Sequence, residues 1–458
     1  MADIQEVGSE LAGTLTKYGA DFIEIHLEET AGSYLTYRGR ELETIGRSRD
    51  GGGNVRALFK GGWGFESFNS MDDIPMRIRR AVSQAKLAGK ETSQFAQAPP
   101  LSADFSFDKT ASAVGFPLAD KKVLLDEYNA LIWQTDGLKT SVLGYSDSEK
   151  TRVYLNSEGS YITQKRADVT LRVTAVAGKN GEVQQSGMSL GSRGDFGEIS
   201  SLHGKVKETA EKAVAILAAP RAKGGEYTVV LDPILAGVFV HEAFGHLSEA
   251  DHIYENPQLK EVMVLGRQFG RPILNIVDSG LEPNLRGSYD YDDEGVAARK
   301  TYLISEGRLT GRLHSRETAA KMNEPLSGNA RAINYRFPPI VRMTNTFIEP
   351  RDVTFDDMIA DIREGIYVKN WYGGTTSMEM FTFSAGEAYM IRNGKVAEMV
   401  RPVVLSGNVF ETLQNIDAIG NDLDMNQGGG CGKGGQSPLP VSNGSPHIRI
   451  SKCLVGGS

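Results

Sequence analysis

Disulfide chemistry is almost absent from this chain, which has two cysteines, Cys431 and Cys453, in 458 residues. Two thiols make no disulfide framework, so a chain of this length has to be held by its cores. No run approaches the ~18 apolar residues that a membrane-spanning helix needs, and no membrane partner is expected. The opening residues Met1-Ala2-Asp3-Ile4 are acidic and lack the apolar core of a secretory leader. Positive charge is also short: 50 Lys and Arg face 58 Asp and Glu, a net charge of −8. That balance argues against nonspecific binding to nucleic acid or anionic membranes. The expectation is a cytoplasmic, reduced protein, in which a cysteine in an odd setting is a ligand or nucleophile sooner than half a disulfide. Histidine is scarce too, at seven residues, so the placement of each one carries information.

What is present is ordinary globular material, 40% hydrophobic and 24% charged, and enough length for two or three domains. Glycine is abundant, at 52 residues, and much of it sits between short β-branched runs, as in hairpins. Apolar periodicity predicts a helix over residues 4–18, then strands over 21–28, 33–37, 41–47, 54–59 and 63–68, with Gly51-Gly52-Gly53 as one of the turns. A helix over 73–87 closes that unit, and 94–118 reads as a connector. The pattern then restarts: a helix over 119–135, strands over 139–146, 152–156, 160–175 and 182–190, and a helix over 203–219. Helix followed by a strand meander occurs twice, so an internal repeat is expected. A hinge at 220–225 divides an N-terminal α+β domain, 1–221, from a β-rich C-terminal domain, 222–458. In the latter only 355–365 and 408–418 read as helical besides one helix over 233–250, and a strand is expected over 378–384.

The helix over 233–250 carries His241-Glu242-Ala243-Phe244-Gly245-His246. Neutral imidazoles bind zinc, and a glutamate beside the first can serve as a general base. The alternative is a core helix with two satisfied histidines. Asp232-Pro233 is a good helix start, and the run before His241 is apolar on nearly all sides, so the helix is buried. Buried polar groups need partners, since an unpaired one costs ~1–3 kcal/mol. The histidines are five apart, which on a straight helix splays them by about 140°, against about 40° for a spacing of four. One residue has to be absorbed. A π-bulge does so, as does a bend that uses the conformational freedom of Gly245; regular hydrogen bonding should then fail between Glu242 and Leu247.

A catalytic zinc takes three protein ligands. Candidates for the third are His252, His314, His447, the carboxylates, Cys431 and Cys453. Cys431 stands in a glycine-rich stretch, Gln427-Gly428-Gly429-Gly430-Cys431-Gly432-Lys433-Gly434-Gly435-Gln436-Ser437-Pro438, where backbone can approach a bound group and Lys433 would favour thiolate. The stretch is not a phosphate loop: Gln427 replaces the first glycine, Gly434 replaces the Ser/Thr, and Pro438 and Pro440 exclude a following helix. Cys453, in an alternating segment, reads as a structural thiol.

Val240 to His246, Gly287 to Gly295 (GSYDYDDEG), Pro339 to Phe347 (PIVRMTNTF), Phe383 to Arg392 (FSAGEAYMIR) and Gly429 to Ser437 (GGCGKGGQS) occur in order, and with them the chain resembles the TldD/PmbA family of metallopeptidases. The resemblance implies zinc held by His241, His246 and Cys431, with Glu242 as base. It implies cleavage of unfolded peptides with little side-chain preference, in a chamber between two subunits. It further implies pairing with a copy of itself or with a paralogous subunit that lacks the histidine motif; this chain keeps the motif. Other readings are a non-catalytic subunit that holds peptides and a metal-dependent amidohydrolase acting on small molecules. Broad specificity is simplest if peptide adds as a strand to an exposed sheet edge. Asp290, Asp292, Asp293 and Glu294 lack the EF-hand spacing, so that loop is expected to be structural or substrate-facing.

Overall fold

The computed structural model describes residues 3–105, 112–377 and 379–457; parts of the expected connector (106–111), Met378 of the strand expected over 378–384, and the first two residues lie outside that set. The first sheet is built from seven strands: β1 Phe22–Arg38, β2 Glu41–Phe59, β3 Gly62–Phe68, β4 Ser102–Phe105, β5 Leu138–Asn156, β6 Tyr161–Lys179 and β7 Glu182–Ser192. It runs β3-β2-β1-β5-β6, with β4 and β7 both on β6. Each half contributes a helix, a three-strand meander and a closing helix: Ile4–Leu11 and Ile74–Ala88 around β1–β3, Leu118–Ile132 and His203–Ala218 around β5–β7. β1 joins the halves by pairing antiparallel to β5. The helix–meander repeat is therefore present in the chain trace.

Several boundaries differ from the expectations, each for a local reason. The first helix stops at Leu11, because Gly13 takes φ 75°, and a short 3-10 turn, Leu15–Tyr18, follows. The short strands expected over 21–59 are two long ones, and Gly51-Gly52-Gly53 lies inside β2. Gly52 and Gly53 serve close approach: a Cβ on Gly52 would stand 2.3 Å from the Phe68 carbonyl oxygen and 2.4 Å from the Tyr335 ring, and one on Gly53 2.5 Å from the His26 carbonyl oxygen. The helices expected over 355–365 and 408–418 are only Phe355–Ile359 and Val409–Gln414.

From residue 225 on, strands dominate. β8 Gly225–Leu231 pairs with Glu364–Ser377 and Ile448–Gly457; these continue through Val403–Asn408 and Met380–Arg392, and the last pairs back to Glu364–Ser377, closing a barrel. A second, six-stranded sheet runs Arg308–Leu309, Lys300–Ser305, Ile276–Ser279, Asn345–Ile348, Ser442–Ser445, Asp424–Asn426. The apolar helix Pro233–Val240 lies between barrel and sheet. Leu235, Phe239, Val240 and Phe244 share one core with Phe381, Phe383 and Ile448 on one side and Ile276 and Leu303 on the other. Burial of such side chains at ~1.5–3 kcal/mol each fixes that helix rigidly.

The acidic loop ties the two halves together. Asp292 accepts from the backbone amides of Glu294, Val296 and Ala330. Asp293 pairs with Arg152 of β5 at 2.6 Å, and Glu294 with Arg56 of β2 at 2.5 Å. Its acids hold the first sheet to the second half.

Candidate metal centre

Asp232 caps the buried helix by accepting from the Leu235 amide at 2.8 Å, with Pro233 in the first turn. The α-helical pattern ends at Val240. His241–Gly245 is a π-turn in which the His246 amide donates to the His241 carbonyl, five residues back. His246–Ser248 is a 3-10 turn, and extended Glu249 (φ −76°, ψ 115°) separates it from the next helix, Ala250–Glu255. The extra residue held by the π-turn brings His246 under His241, and the rings stand 5.3 Å apart at 80°.

The freedom of glycine is not what achieves this. Gly245 has ordinary helical angles, φ −57° and ψ −51°. A Cβ there would lie 2.1 Å from the sulfur of the fully buried Met343. Gly245 provides room for Met343, which the spacing argument had not foreseen.

Cys431 comes from a two-stranded hairpin, Gly430–Lys433 with Gln436–Pro440, in which it faces Leu439. Arg342, with no exposed surface, donates to the Cys431 carbonyl at 2.7 Å and to the Gln436 carbonyl at 3.2 Å, so it clamps both strands. The thiol sulfur lies 3.5 Å from Nε2 of His246. One donor atom from each of His241, His246 and Cys431 falls within 4.8 Å of the others, the one such triad among the described residues.

The other candidates are engaged elsewhere. His314 pairs with Glu324 at 3.0 Å, His447 bonds Asp422 and the Tyr367 hydroxyl, and Cys453 is a buried barrel thiol that burial pushes up to about 12. His252 lies 3.9 Å from Glu249 with a half-exposed side chain.

The donor set suits zinc. Bonds of ~2.0–2.1 Å to nitrogen and ~2.3 Å to sulfur at tetrahedral angles separate ligand atoms by roughly 3.4–3.6 Å, and the His246–Cys431 contact is 3.5 Å. Nδ1 of His241 is buried and has no hydrogen-bond partner among the described residues. Burial alone would raise the Cys431 thiol, but the imidazoles of His241 and His246 bring it down to about 5, so it is a thiolate near neutrality.

Glu249 completes the site, and nothing in the motif pointed to it. It has no exposed surface, and Oε2 takes Nδ1 of His246 at 2.9 Å. Burial opposes its charge, yet His246 and Lys433 hold the carboxyl down at about 2. The carboxylate in turn raises His246 well above the usual imidazole range against the pull of burial. Lys433, expected to act on the thiol, instead bonds Asp251 at 2.7 Å, Glu249 at 3.1 Å and the Val341 carbonyl at 2.8 Å. Glu242 sits at the mouth of the triad: its side chain is 36% exposed, and an oxygen lies 4.0 Å from Nε2 of His246.

Comparison with known proteins places these features in a wider set. Residues 224–457 match the model described as the PmbA/TldA metallopeptidase C-terminal domain, 114–217 its central domain and 23–88 its domain 1. The chain is 47% identical over 459 residues to a protein named Metalloprotease slr0863 from Synechocystis, covering 100% of this chain and 99% of that one. It is 28% identical, over 96% of its own length and 97% of the other's, to the Zinc metalloprotease TldD homolog of Saccharolobus solfataricus. The crystal structure of TldE from Thermococcus kodakarensis has the same fold, with TM-score 0.76 at 17% identity over 98% of this chain and 100% of that one.

Proposed function

The chain belongs to the PmbA/TldD metallopeptidase family, and from that premise we propose that it is a zinc-dependent peptidase acting on unfolded peptides with little side-chain preference. His241, His246 and Cys431 would hold the ion, and Glu242 would be the general base. The observation that carries this reading is the triad itself, three donors from a π-turn and a hairpin with a free carboxylate at its mouth.

Zinc bound by these residues supplies a Lewis acid for the peptide carbonyl and an activator for water. The chain's own part is to aim its groups. With the ion bound, the contact from His246 to Glu249 would keep the proton on Nδ1 and leave Nε2 to the site. Arg342 holds the hairpin so that the thiolate meets both rings. Glu242, partly solvated and without a hydrogen bond among the described residues, would take a proton from the attacking water and pass it to the leaving amine. Broad specificity follows if backbone hydrogen bonds supply the affinity. A cleft of about 290 Å³ runs from β6 and β7 past Trp371 to Gly428 and Gly429, just before Cys431, and it would suit an extended chain.

Association with a second copy or with a paralogous subunit belongs to the same reading, and the mass of the complex separates the two. Among the described residues no helix is long and apolar enough to cross a membrane. We place the chain in the reducing cytoplasm because Cys431 has to stay a free thiol. Hydrolysis of an unstructured peptide, measured with and without a zinc chelator, tests the proposal. Chelator-sensitive cleavage is expected. Cleavage indifferent to chelator removes the metal from the account. Absence of peptide cleavage with zinc bound favours the peptide-holding or amidohydrolase readings.

A further inference from the structure

A cavity of about 380 Å³ opens between the first sheet and the acidic loop, with Pro438, Leu439 and Pro440 in its wall. Leu439 is the register partner of Cys431, so the cavity wall and the proposed thiolate ligand are opposite strands of one hairpin. Its volume admits one or two residues of a peptide.

A chain of net charge −8 lines this cavity with Arg166, Arg193, Arg286 and Arg331. Arg286 is neutralised by Asp168 through two contacts of 2.7 Å. Among the described residues the other three have no such two-point carboxylate partner. Arg331, 4% exposed, donates to the carbonyls of Met343 and Pro440. Arg166 donates to the Arg286 carbonyl at 2.7 Å, and the nearer Asp168 oxygen is 3.9 Å away. Arg193, half-buried, makes no hydrogen bond or ion pair among the described residues, and Asp290 and Asp168 are the acids whose charge reaches it.

Of the remaining acids of the cavity, Asp290 is exposed and acts on Arg193 only through its charge, and the others are engaged elsewhere. Glu28 and Asp293 are taken by Lys150 and Arg152. Asp50 is held by Arg336 at the surface. Burial holds the Asp292 carboxyl well above the usual range, and its oxygens are taken by the amides of Glu294, Val296 and Ala330. The positive excess registers on Arg166: burial, reinforced by Arg331, Arg193 and Arg286 against Asp168, brings its guanidinium down to about 9. Buried cations without counter-ions are costly, and guanidinium matches carboxylate in planar, bidentate geometry.

We propose that this cavity is a carboxylate subsite that takes the C-terminal α-carboxylate of a peptide through Arg193, Arg166 and Arg331. The proposal rests on the peptidase reading for its substrate class. It adds that the enzyme senses the end of the chain even though side chains are read little.

The test is a binding measurement on zinc-free protein, so that it stands apart from catalysis. Three fluorescent peptides share one unstructured neutral sequence: a free acid, its C-terminal amide, and an amide with glutamate as the penultimate residue. The free acid should bind about tenfold tighter than the amide, as charge-assisted hydrogen bonds imply. In Arg193→Gln the ratio of acid to amide affinity should fall below about threefold, and Arg193→Lys should keep most of it. Arg193 holds no hydrogen-bond or ion-pair partner among the described residues, and a melting curve verifies that both variants are folded. Equal affinity of acid and amide in the wild type would overturn the subsite, as would a ratio unmoved by Arg193→Gln. Tighter binding of the glutamate amide than of the free acid would overturn its assignment to the C-terminus. A free-acid preference in a protein that cleaves nothing would leave the subsite standing and sink the peptidase reading alone.

Discussion

Nδ1 of His246 stands 2.9 Å from Oε2 of Glu249, a carboxylate with no exposed surface. The same oxygen lies 3.1 Å from Nζ of Lys433, two residues after Cys431. One carboxylate thus orients a proposed ligand from the π-turn and anchors the hairpin that brings the other. Glu249→Gln keeps the size and an acceptor but removes the charge. Zinc affinity should fall by ~10–100-fold, read by competition with a chromophoric chelator. Unchanged affinity would show that the contact is ornamental.

Among the described residues Glu242 makes no hydrogen bond to hold it in a structural role, and its nearest recorded contact is Nε2 of His246 at 4.0 Å. Glu242→Gln should retain zinc at wild-type stoichiometry while peptide hydrolysis drops by ~10²–10⁴-fold. Full turnover in that variant would remove the assigned base.

Gly245→Ala should weaken zinc binding, although alanine favours helix by ~1 kcal/mol. The added Cβ meets the Met343 sulfur at 2.1 Å, and relief of that clash would move the turn that carries His246. The double variant Gly245→Ala, Met343→Ala should recover part of the zinc affinity, even though the Met343 truncation costs stability. If the single variant binds zinc like the wild type, the turn is not confined by this packing.

The join between the two halves should be sensitive to acid. Burial opposes the charge on Asp293, but Arg152 outweighs it and holds the carboxyl below its ordinary value. A depressed carboxyl contributes stability that is present above the unfolded value, ~3.9, and is lost as pH falls through the folded value. Asp293→Asn should cost about 1–3 kcal/mol at pH 7; Arg152 keeps Glu28 as a partner and is partly solvated, which limits the loss. In thermal melts the gap to wild type should close below pH 4. A gap that is constant with pH would show that the pair contributes through packing alone.

How much of this was legible beforehand depended on the kind of constraint. The π-turn could be inferred because two imidazoles five apart cannot share an ion on a straight helix. Cys431 meets His246 across 185 residues, and no local pattern encodes that distance; the glycine-rich setting made Cys431 a candidate, and the resemblance made it the ligand. Glu249, three residues past His246, reads as surface acid on any periodicity, and its burial arises only when the hairpin folds over it. Gly51 to Gly53 read as a turn because sequence cannot distinguish a glycine needed for its angles from one needed for its missing Cβ. Phe68 and Tyr335 make it the latter. The repeat was visible because each meander carries its own turns, whereas the barrel was not: β8 pairs in parallel with Glu364–Ser377 and antiparallel with Ile448–Gly457, both far away along the chain.

The central claim is that His241, His246 and Cys431 bind one zinc ion, and zinc-edge X-ray absorption on the loaded protein addresses it directly. The account predicts nitrogen scatterers at ~2.0–2.1 Å and one sulfur at ~2.3 Å, with the sulfur lost in Cys431→Ser. A wild-type spectrum without sulfur, or one that Cys431→Ser leaves unchanged, would contradict it.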